Sequence, residues 1–158
     1  MANKETKRLG NKGFSLVELI VVIAIMAVLV GVLAPQFIRY VEKSRQSGDV
    51  TSIQSIMTAI ETSAAEEGLI TEPVTITVNG STATVAGGTK SGAEKSISDI
   101  LAESGLTTST TLKSSGWQST TLTYNVSTYK WEITGTTTNS KSPNTNLDTL
   151  VQKTTPKK

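Results

Sequence analysis

Cysteine and histidine are both absent from the sequence of 158 residues, and each absence excludes several kinds of site. Without cysteine there is no disulfide framework, no thiolate metal site and no cysteine nucleophile. Without histidine the Ser-His-Asp triad and the usual zinc and iron ligand sets are excluded. A hydrolase would need a Ser-Lys dyad or paired carboxylates, and the pair Lys43-Ser44 resembles no active site. Composition therefore favours a protein that is not an enzyme and holds no metal or other cofactor.

Aromatic residues are also scarce, at 4% of the chain, whereas hydrophobic residues make up an ordinary 37%. A globular core must therefore rest mainly on isoleucine, leucine, valine and alanine. The densest apolar stretch runs from Phe14 to Ile38, and the remainder is rich in threonine, serine and glycine. The chain is long enough for one domain of ordinary size with a modest core.

The net charge of +2 is unevenly distributed along the chain. Residues 1–13 contain four of the 15 basic side chains and one of the 13 acidic ones. The rest of the chain therefore has 11 basic and 12 acidic side chains. Positive flanks of an apolar segment stay in the cytoplasm, so the rest of the chain is expected to face outward. The near-neutral remainder lacks the basic, aromatic-interleaved face of a nucleic-acid-binding protein, and no direct nucleic-acid ligand is expected.

The apolar stretch is long enough to cross a membrane, since about 20 helical residues span a hydrocarbon core of roughly 30 Å. A cleaved secretory signal is one alternative, because Val32-Leu33-Ala34 resembles a small-residue cleavage site. Cleavage there would place Pro35 directly after the scissile bond, where its tertiary amide is a poor substrate. A plain membrane anchor is the second alternative, but it does not account for Glu18 within the apolar run.

Glu18 lies about one helical turn inside the apolar stretch. An ionised side chain costs about 2.5–3.5 kcal/mol at the centre of a bilayer and less near the interface, and such carboxylates call for a cationic partner. No lysine or arginine lies within reach on the same helix. We therefore expect the partner to be another molecule or a newly formed α-amino group.

The segment Gly13-Phe14-Ser15-Leu16-Val17-Glu18 follows a short basic leader and precedes the apolar run. It resembles the class III signal of type IV pilins, in which glycine precedes the cut, phenylalanine follows it and glutamate is the fifth residue of the new chain. The resemblance implies that a prepilin peptidase cuts after Gly13 and methylates the amine of Phe14. It also implies that Glu18 pairs with Phe14 of a neighbouring subunit during assembly.

The same resemblance implies an α+β fold, in which one long N-terminal helix packs on a C-terminal antiparallel β-sheet head. Residues 1–13 are then a leader that is removed, and residues 14–38 form the transmembrane and filament-core half of the helix. Residues 39–68 form its amphipathic half, and residues 69–158 form the β-rich head with a polar tail.

Pro35 falls where many type IV pilins carry a proline, and Gly31 lies one turn before it. Proline removes a backbone donor and clashes with the carbonyl four residues earlier. A kink or local melting of the helix between Gly31 and Pro35 is therefore expected, and in related filaments this stretch unwinds so that the fibre lengthens.

As a type IV pilin, the chain would be a single-pass membrane protein before assembly and part of an extracellular fibre after it. Its partners would be further copies of itself, the prepilin peptidase and methyltransferase, membrane lipid, minor pilins and an assembly platform with its ATPase. The absence of cysteine favours a Gram-positive, clostridial kind of major pilin, and such fibres serve adhesion, biofilm formation or twitching motility. A pseudopilin of a type II secretion or competence system is the alternative within the superfamily, and a membrane-anchored extracellular hydrolase is a distant one.

An amphipathic helix is predicted beyond the apolar stretch. Apolar residues recur there at steps of three and four, which places them on one helix face: Val50, Ile53, Met57, Ile60 and Ala64. The run of Glu66, Glu67 and Gly68 is expected to end this helix, with Gly68 as its cap.

Two hairpins are predicted in the head. Asn79-Gly80 favours a type I′ turn, which would set Ile76 opposite Ala83 and Val74 opposite Val85. A second hairpin turning at Ser127-Thr128 would form three further pairs: Val126 with Tyr129, Tyr124 with Trp131 and Leu122 with Ile133. Tyr124 and Trp131 are expected in the core, and Trp117 is not placed by the pattern.

A short helix is predicted between the hairpins. Ser91 and Glu94 have the spacing of a capping box, and apolar residues follow at helical spacing. Gly105 is expected to stop the helix, with Leu106 positioned for the hydrophobic contact that usually accompanies such an end. The tail from Thr136 onward is polar, and its apolar cluster around Leu150 is expected to dock as one helical turn.

Overall fold

The computed structural model describes residues 13–66, 69–89, 95–135 and 138–146. The chain divides between Ile38 and Arg39 into two compact units, which are described separately below. The predicted division into leader, filament-core helix, amphipathic helix and head stays a prediction.

The N-terminal unit contains the first part of helix α1, which runs from Leu16 to Ala65. Every residue from Gly13 to Ile38 is exposed. α1 is the one helix among the described residues that is long and apolar enough to cross a membrane, with a mean hydropathy of 3.1 over its best window. Pro35 lies inside the helix, which is assigned without interruption, and the expected melting between Gly31 and Pro35 stays a prediction.

The second unit begins with the rest of α1, whose apolar face is buried. Ile53, Met57 and Ile60 are fully buried, and Val50 and Ala64 pack against them at the margin, as the periodicity predicted. The helix ends at Ala65, and the predicted cap at Gly68 lies outside the described residues.

The sheet against which α1 packs has seven antiparallel strands. The strands are β1 (Val74–Gly80), β2 (Thr82–Gly87), β3 (Ser109–Thr111), β4 (Trp117–Asn125), β5 (Lys130–Gly135), β6 (Thr138–Asn139) and β7 (Ser142–Asn146). Their spatial order is β3-β2-β1-β4-β6-β7, and β5 also pairs with β4. A long N-terminal helix with a C-terminal antiparallel sheet confirms the predicted α+β class.

The first hairpin exists, but its predicted register is wrong by two residues. Ile76 lies opposite Val85 rather than Ala83, and the turn consists of Gly80 and Ser81. Gly80 alone has a positive φ, at 58°, which fits a type II′ turn rather than the I′ turn that needs two such residues. A shift of two preserves the facing of every side chain, so the expected apolar residues are still buried.

The second hairpin has the predicted register. Tyr124 lies opposite Trp131 and Leu122 opposite Ile133, while the strand ladder ends one pair before the predicted Val126–Tyr129 pair. The rings of Tyr124 and Trp131 have centroids 5.1 Å apart and both residues are buried, which confirms their place in the core.

Helix α2 runs from Ile97 to Glu103 and has a capping box formed by Ser96 and Asp99. The predicted box at Ser91 and Glu94 lies outside the described residues. The predicted stop at Gly105 is confirmed, because its φ is 69° and the N–H of Leu106 donates to the carbonyl of Leu101. This bond and the one from Gly105 to Ala102 form a Schellman motif.

Three strands were not predicted from the sequence: β3, β6 and β7. β3 has three residues and β6 has two, so neither shows a measurable alternation of apolar and polar residues. The predicted helical turn near Leu150 lies outside the described residues.

Candidate processing and assembly site

Helix α1 begins with a variant of the capping box formed by Ser15 and Glu18, in which the serine hydroxyl bonds to the N–H of Val17 rather than to that of Glu18. The Ser15 hydroxyl accepts a hydrogen bond from the N–H of Val17 at 3.3 Å, and Glu18 Oε2 accepts one from the N–H of Ser15 at 2.9 Å. A serine followed three residues later by glutamate is the sequence pattern for this arrangement. Two backbone donors at the start of the helix are therefore satisfied by side chains of the same chain.

The capping box gives Glu18 a partner that the sequence argument did not identify. The sequence indicated a cationic partner, whereas the carboxylate accepts a hydrogen bond from a backbone N–H at the positive end of the helix dipole. The Ser-x-x-Glu spacing from Ser15 to Glu18 was the signal that could have revealed it. The prediction that Glu18 pairs with Phe14 of another subunit is untested by this contact, since one carboxylate accepts several hydrogen bonds.

The predicted cleavage position lies next to this box and is open to solvent. A side chain at Gly13 would meet no other atom within 4 Å. Phe14 is 91% exposed and precedes the helix, which begins at Leu16. Both residues are therefore accessible, as substrates of a peptidase and a methyltransferase would have to be, and their assignment stays a prediction.

The helix surface that follows is apolar and exposed. Sixteen residues after Ser15 belong to the large exposed hydrophobics of this unit: Leu16, Val17, Leu19, Ile20, Val21, Val22, Ile23, Ile25, Met26, Val28, Leu29, Val30, Val32, Leu33, Phe37 and Ile38. Gly31 has no atom within 4 Å of the place of a Cβ. Monomeric soluble proteins rarely expose contiguous apolar patches larger than a few hundred Å², so this surface requires lipid or other protein around it.

A groove of 690 Å³ runs between α1 and α2 in the second unit. Hydroxyl groups line it, but those of Thr51, Ser55, Thr58 and Thr62 donate to carbonyls of their own helix. Among the described residues no three acidic side chains are grouped so that they could hold a metal ion.

The N-terminal segment is similar to a segment found in known proteins. Residues 8–34 match the family model of the prokaryotic N-terminal methylation motif. The type IV major pilin protein PilA of Myxococcus xanthus (strain DK1622) is 39% identical over 49 residues, which are 31% of this chain and 22% of PilA. The type IV major fimbrial protein FimA of Dichelobacter nodosus is 39% identical over 51 residues, which are 32% of this chain and 33% of FimA. No solved structure matches the chain significantly.

These findings show what the N-terminal segment is similar to. It carries the prokaryotic N-terminal methylation motif, and the long helix followed by an antiparallel sheet is consistent with the type IV pilin fold. The chain spans only a third or less of the length of the curated relatives named here. It is thus similar to type IV major pilins over about a third of its own length, and the expected clostridial resemblance is not shown.

Proposed function

We propose that this protein is the major structural subunit of a type IV pilus. A prepilin peptidase cuts after Gly13 and methylates Phe14, the processed chain is stored in the membrane, and an assembly platform with its ATPase adds it to a helical fibre. Minor pilins join the same fibre. The matched methylation motif and the similarity to major pilins support this proposal.

The observation that carries the proposal is a capped carboxylate at the start of an apolar helical segment that is exposed up to Ile38. In the stored monomer, the N–H of Ser15 reduces the cost of holding Glu18 at the membrane boundary. Cleavage after Gly13 creates a positive charge on Phe14. The carboxylate of a neighbouring copy then pairs with this amine, and the pairing sets the register of one helix against the next.

The exposed apolar helix also accounts for the two locations of the protein. Lipid surrounds the helix of the monomer, and the helices of other copies surround it in the fibre. Contacts between different faces of identical subunits build an open helical filament when the rotation between subunits does not close into a ring. The basic residues before Gly13 hold the N-terminus in the cytoplasm, which leaves the head outside.

The test is to shear appendages from producing cells and to determine the intact mass and N-terminal sequence of their main small protein. A high-molecular-weight fibre whose subunit begins at methylated Phe14 is the expected result. A soluble secreted protein that begins at Pro35, or a membrane protein that keeps residues 1–13, would contradict the proposal. Processed chain that stays in the membrane and forms no surface fibre would favour the pseudopilin alternative.

A further inference from the structure

A buried serine links three separate parts of the head. Ser114 lies in the loop between β3 and β4 and has no exposed surface. Its hydroxyl donates a short hydrogen bond to Glu42 of α1 and accepts one from Asn139 Nδ2 of β6 at 2.8 Å. The N–H of Gly116 is also directed at this hydroxyl, at 3.3 Å. One oxygen atom therefore connects α1, the β3–β4 loop and β6.

Asn139 occupies space that exists because residue 116 is glycine. A Cβ at Gly116 would overlap Asn139 Oδ1 and lie 3.0 Å from its Cγ. Asn139 is fully buried, and its Oδ1 accepts the N–H of Lys141 at 2.9 Å. The N–H of Ser140 donates to the carbonyl of Gly116 at 2.7 Å. We call Glu42, Ser114, Gly116 and Asn139 the clasp.

The strand ladder alone holds this part of the chain weakly. Within the described residues, β6 registers with β4 at the single pair Trp117–Asn139, and β7 registers only with β6 at the edge of the sheet. By contrast, β1 registers with β4 through six pairs. A hydrogen bond to a charged group is stronger than a neutral one, so the bond to Glu42 contributes stability that the few ladder bonds of β6 do not provide.

We propose that the clasp is the element that keeps β6 and β7 on the head. When it is broken, this strand pair opens as a local unit while α1 and the first hairpin stay folded. A cooperative unit of low stability is expected where few ladder bonds and a concentrated buried polar network coincide. The inference concerns the head alone and does not depend on the proposed function.

Hydrogen exchange of the full chain in detergent tests the proposal, with Ser114→Ala as the first variant. We expect exchange of the amides of residues 138–146 to rise on the order of tenfold to a hundredfold, since the lost contacts involve a charged group. Exchange within residues 74–87 should stay as in the unchanged protein. The control is Ser115→Ala, because Ser115 contacts only the exposed amine of Lys141 among the bonds described here.

Gly116→Ala is the second variant, because it keeps every hydrogen-bonding group and acts by displacing Asn139 and the side chain of Lys141. The same local rise in exchange is expected from it. Unchanged exchange at residues 138–146 in both variants would overturn the proposal. An equal rise throughout the head in both variants would also overturn it, because the strand pair would then not be a separate unit.

Discussion

The two units of this chain differ in how far their apolar side chains and carboxylates are buried. Before Arg39 the large apolar residues are exposed, and Glu18 has one backbone donor at a helix end. After it the large apolar residues are mostly buried, and Asp49 is only 2% exposed. Asp49 accepts from the N–H groups of Lys113 and Ser114 and from the indole of Trp117.

This contrast indicates where each unit finds its partners. The head satisfies its apolar surface and its buried carboxylate internally, so a defect there should appear as lost stability. The N-terminal unit leaves its apolar surface to be covered by other molecules, so a defect there should appear as lost processing or assembly with the head intact. The following predictions test this division, from the largest expected effect to the smallest.

Gly13→Ile should abolish fibres completely while the head still folds. A β-branched side chain before the scissile bond restricts the backbone that the peptidase must bind. The measurement is the intact mass of the membrane-bound chain, which should retain residues 1–13. Gly10→Ile is the matched control, because it changes a glycine of the same leader away from the cut. Fibres of normally processed subunit from Gly13→Ile would contradict the prediction.

Glu18→Gln separates capping from charge. Glutamine still offers an oxygen to the N–H of Ser15, but it cannot pair with a cationic amine. We expect fibre yield to fall about tenfold or more, with unchanged unfolding of the head. Sheared fibre is quantified against total processed chain. Ser15→Ala is the control that weakens the cap and keeps the charge, and it should lower yield less. Equal yields from Glu18→Gln and the unchanged chain would show that capping is the whole role of Glu18.

Asp49→Ala should destabilise the head by about 3 kcal/mol, because two buried donors and one partly buried donor lose their acceptor at about 1 kcal/mol each. Denaturant unfolding of the full chain in detergent, followed by tryptophan fluorescence, measures this loss. Thr51→Ala, on the exposed face of the same helix, is the control and should change little. A loss of under about 1 kcal/mol for Asp49→Ala would mean that water replaces the carboxylate readily.

Acidification should loosen the start of α2 before it affects the sheet. The hydroxyl and backbone N–H of Ser96 hold the pKa of Asp99 below its ordinary value of 3.8. A carboxylate whose pKa is lowered by folding stabilises the folded state above the unfolded pKa, and this contribution is lost as pH falls through the folded pKa. Amide exchange of residues 97–103, expressed relative to the intrinsic exchange rate at each pH, should rise in the unchanged chain as pH falls below 3.8. In Asp99→Asn this pH dependence should disappear, and its persistence would assign the effect to another group.

The sequence predicted the features that depend on local patterns. The amphipathic face around Ile53 and Met57 follows from spacing, and the second hairpin follows from bulky pairs such as Tyr124 with Trp131. The predicted register of the first hairpin is wrong by two residues, because a type I′ turn at Asn79-Gly80 needs a positive φ at both residues and only Gly80 has one. Patterns of this kind fix the facing of side chains better than the register.

The polar interior of the head could not be predicted, because its partners are distant in sequence. Asp49 bonds to residues 64, 65 and 68 positions away, and Ser114 bonds to Glu42 across 72 positions. No local pattern marks such residues, which read as ordinary surface positions of a helix and a loop. The contact between Ser15 and Glu18 could have been predicted, since the Ser-x-x-Glu spacing of a capping box is visible in the sequence.

The central claim is that the apolar surface exposed in the single chain is buried between copies in the fibre. The absence of native cysteine allows a direct test with Leu29→Cys, on the apolar helix, and Ser127→Cys, at the exposed turn of the second hairpin. The rate of maleimide labelling is compared between detergent-solubilised chain and sheared fibres. We expect position 29 to be protected in fibres while position 127 still reacts. Equal labelling of position 29 in both states would contradict the account.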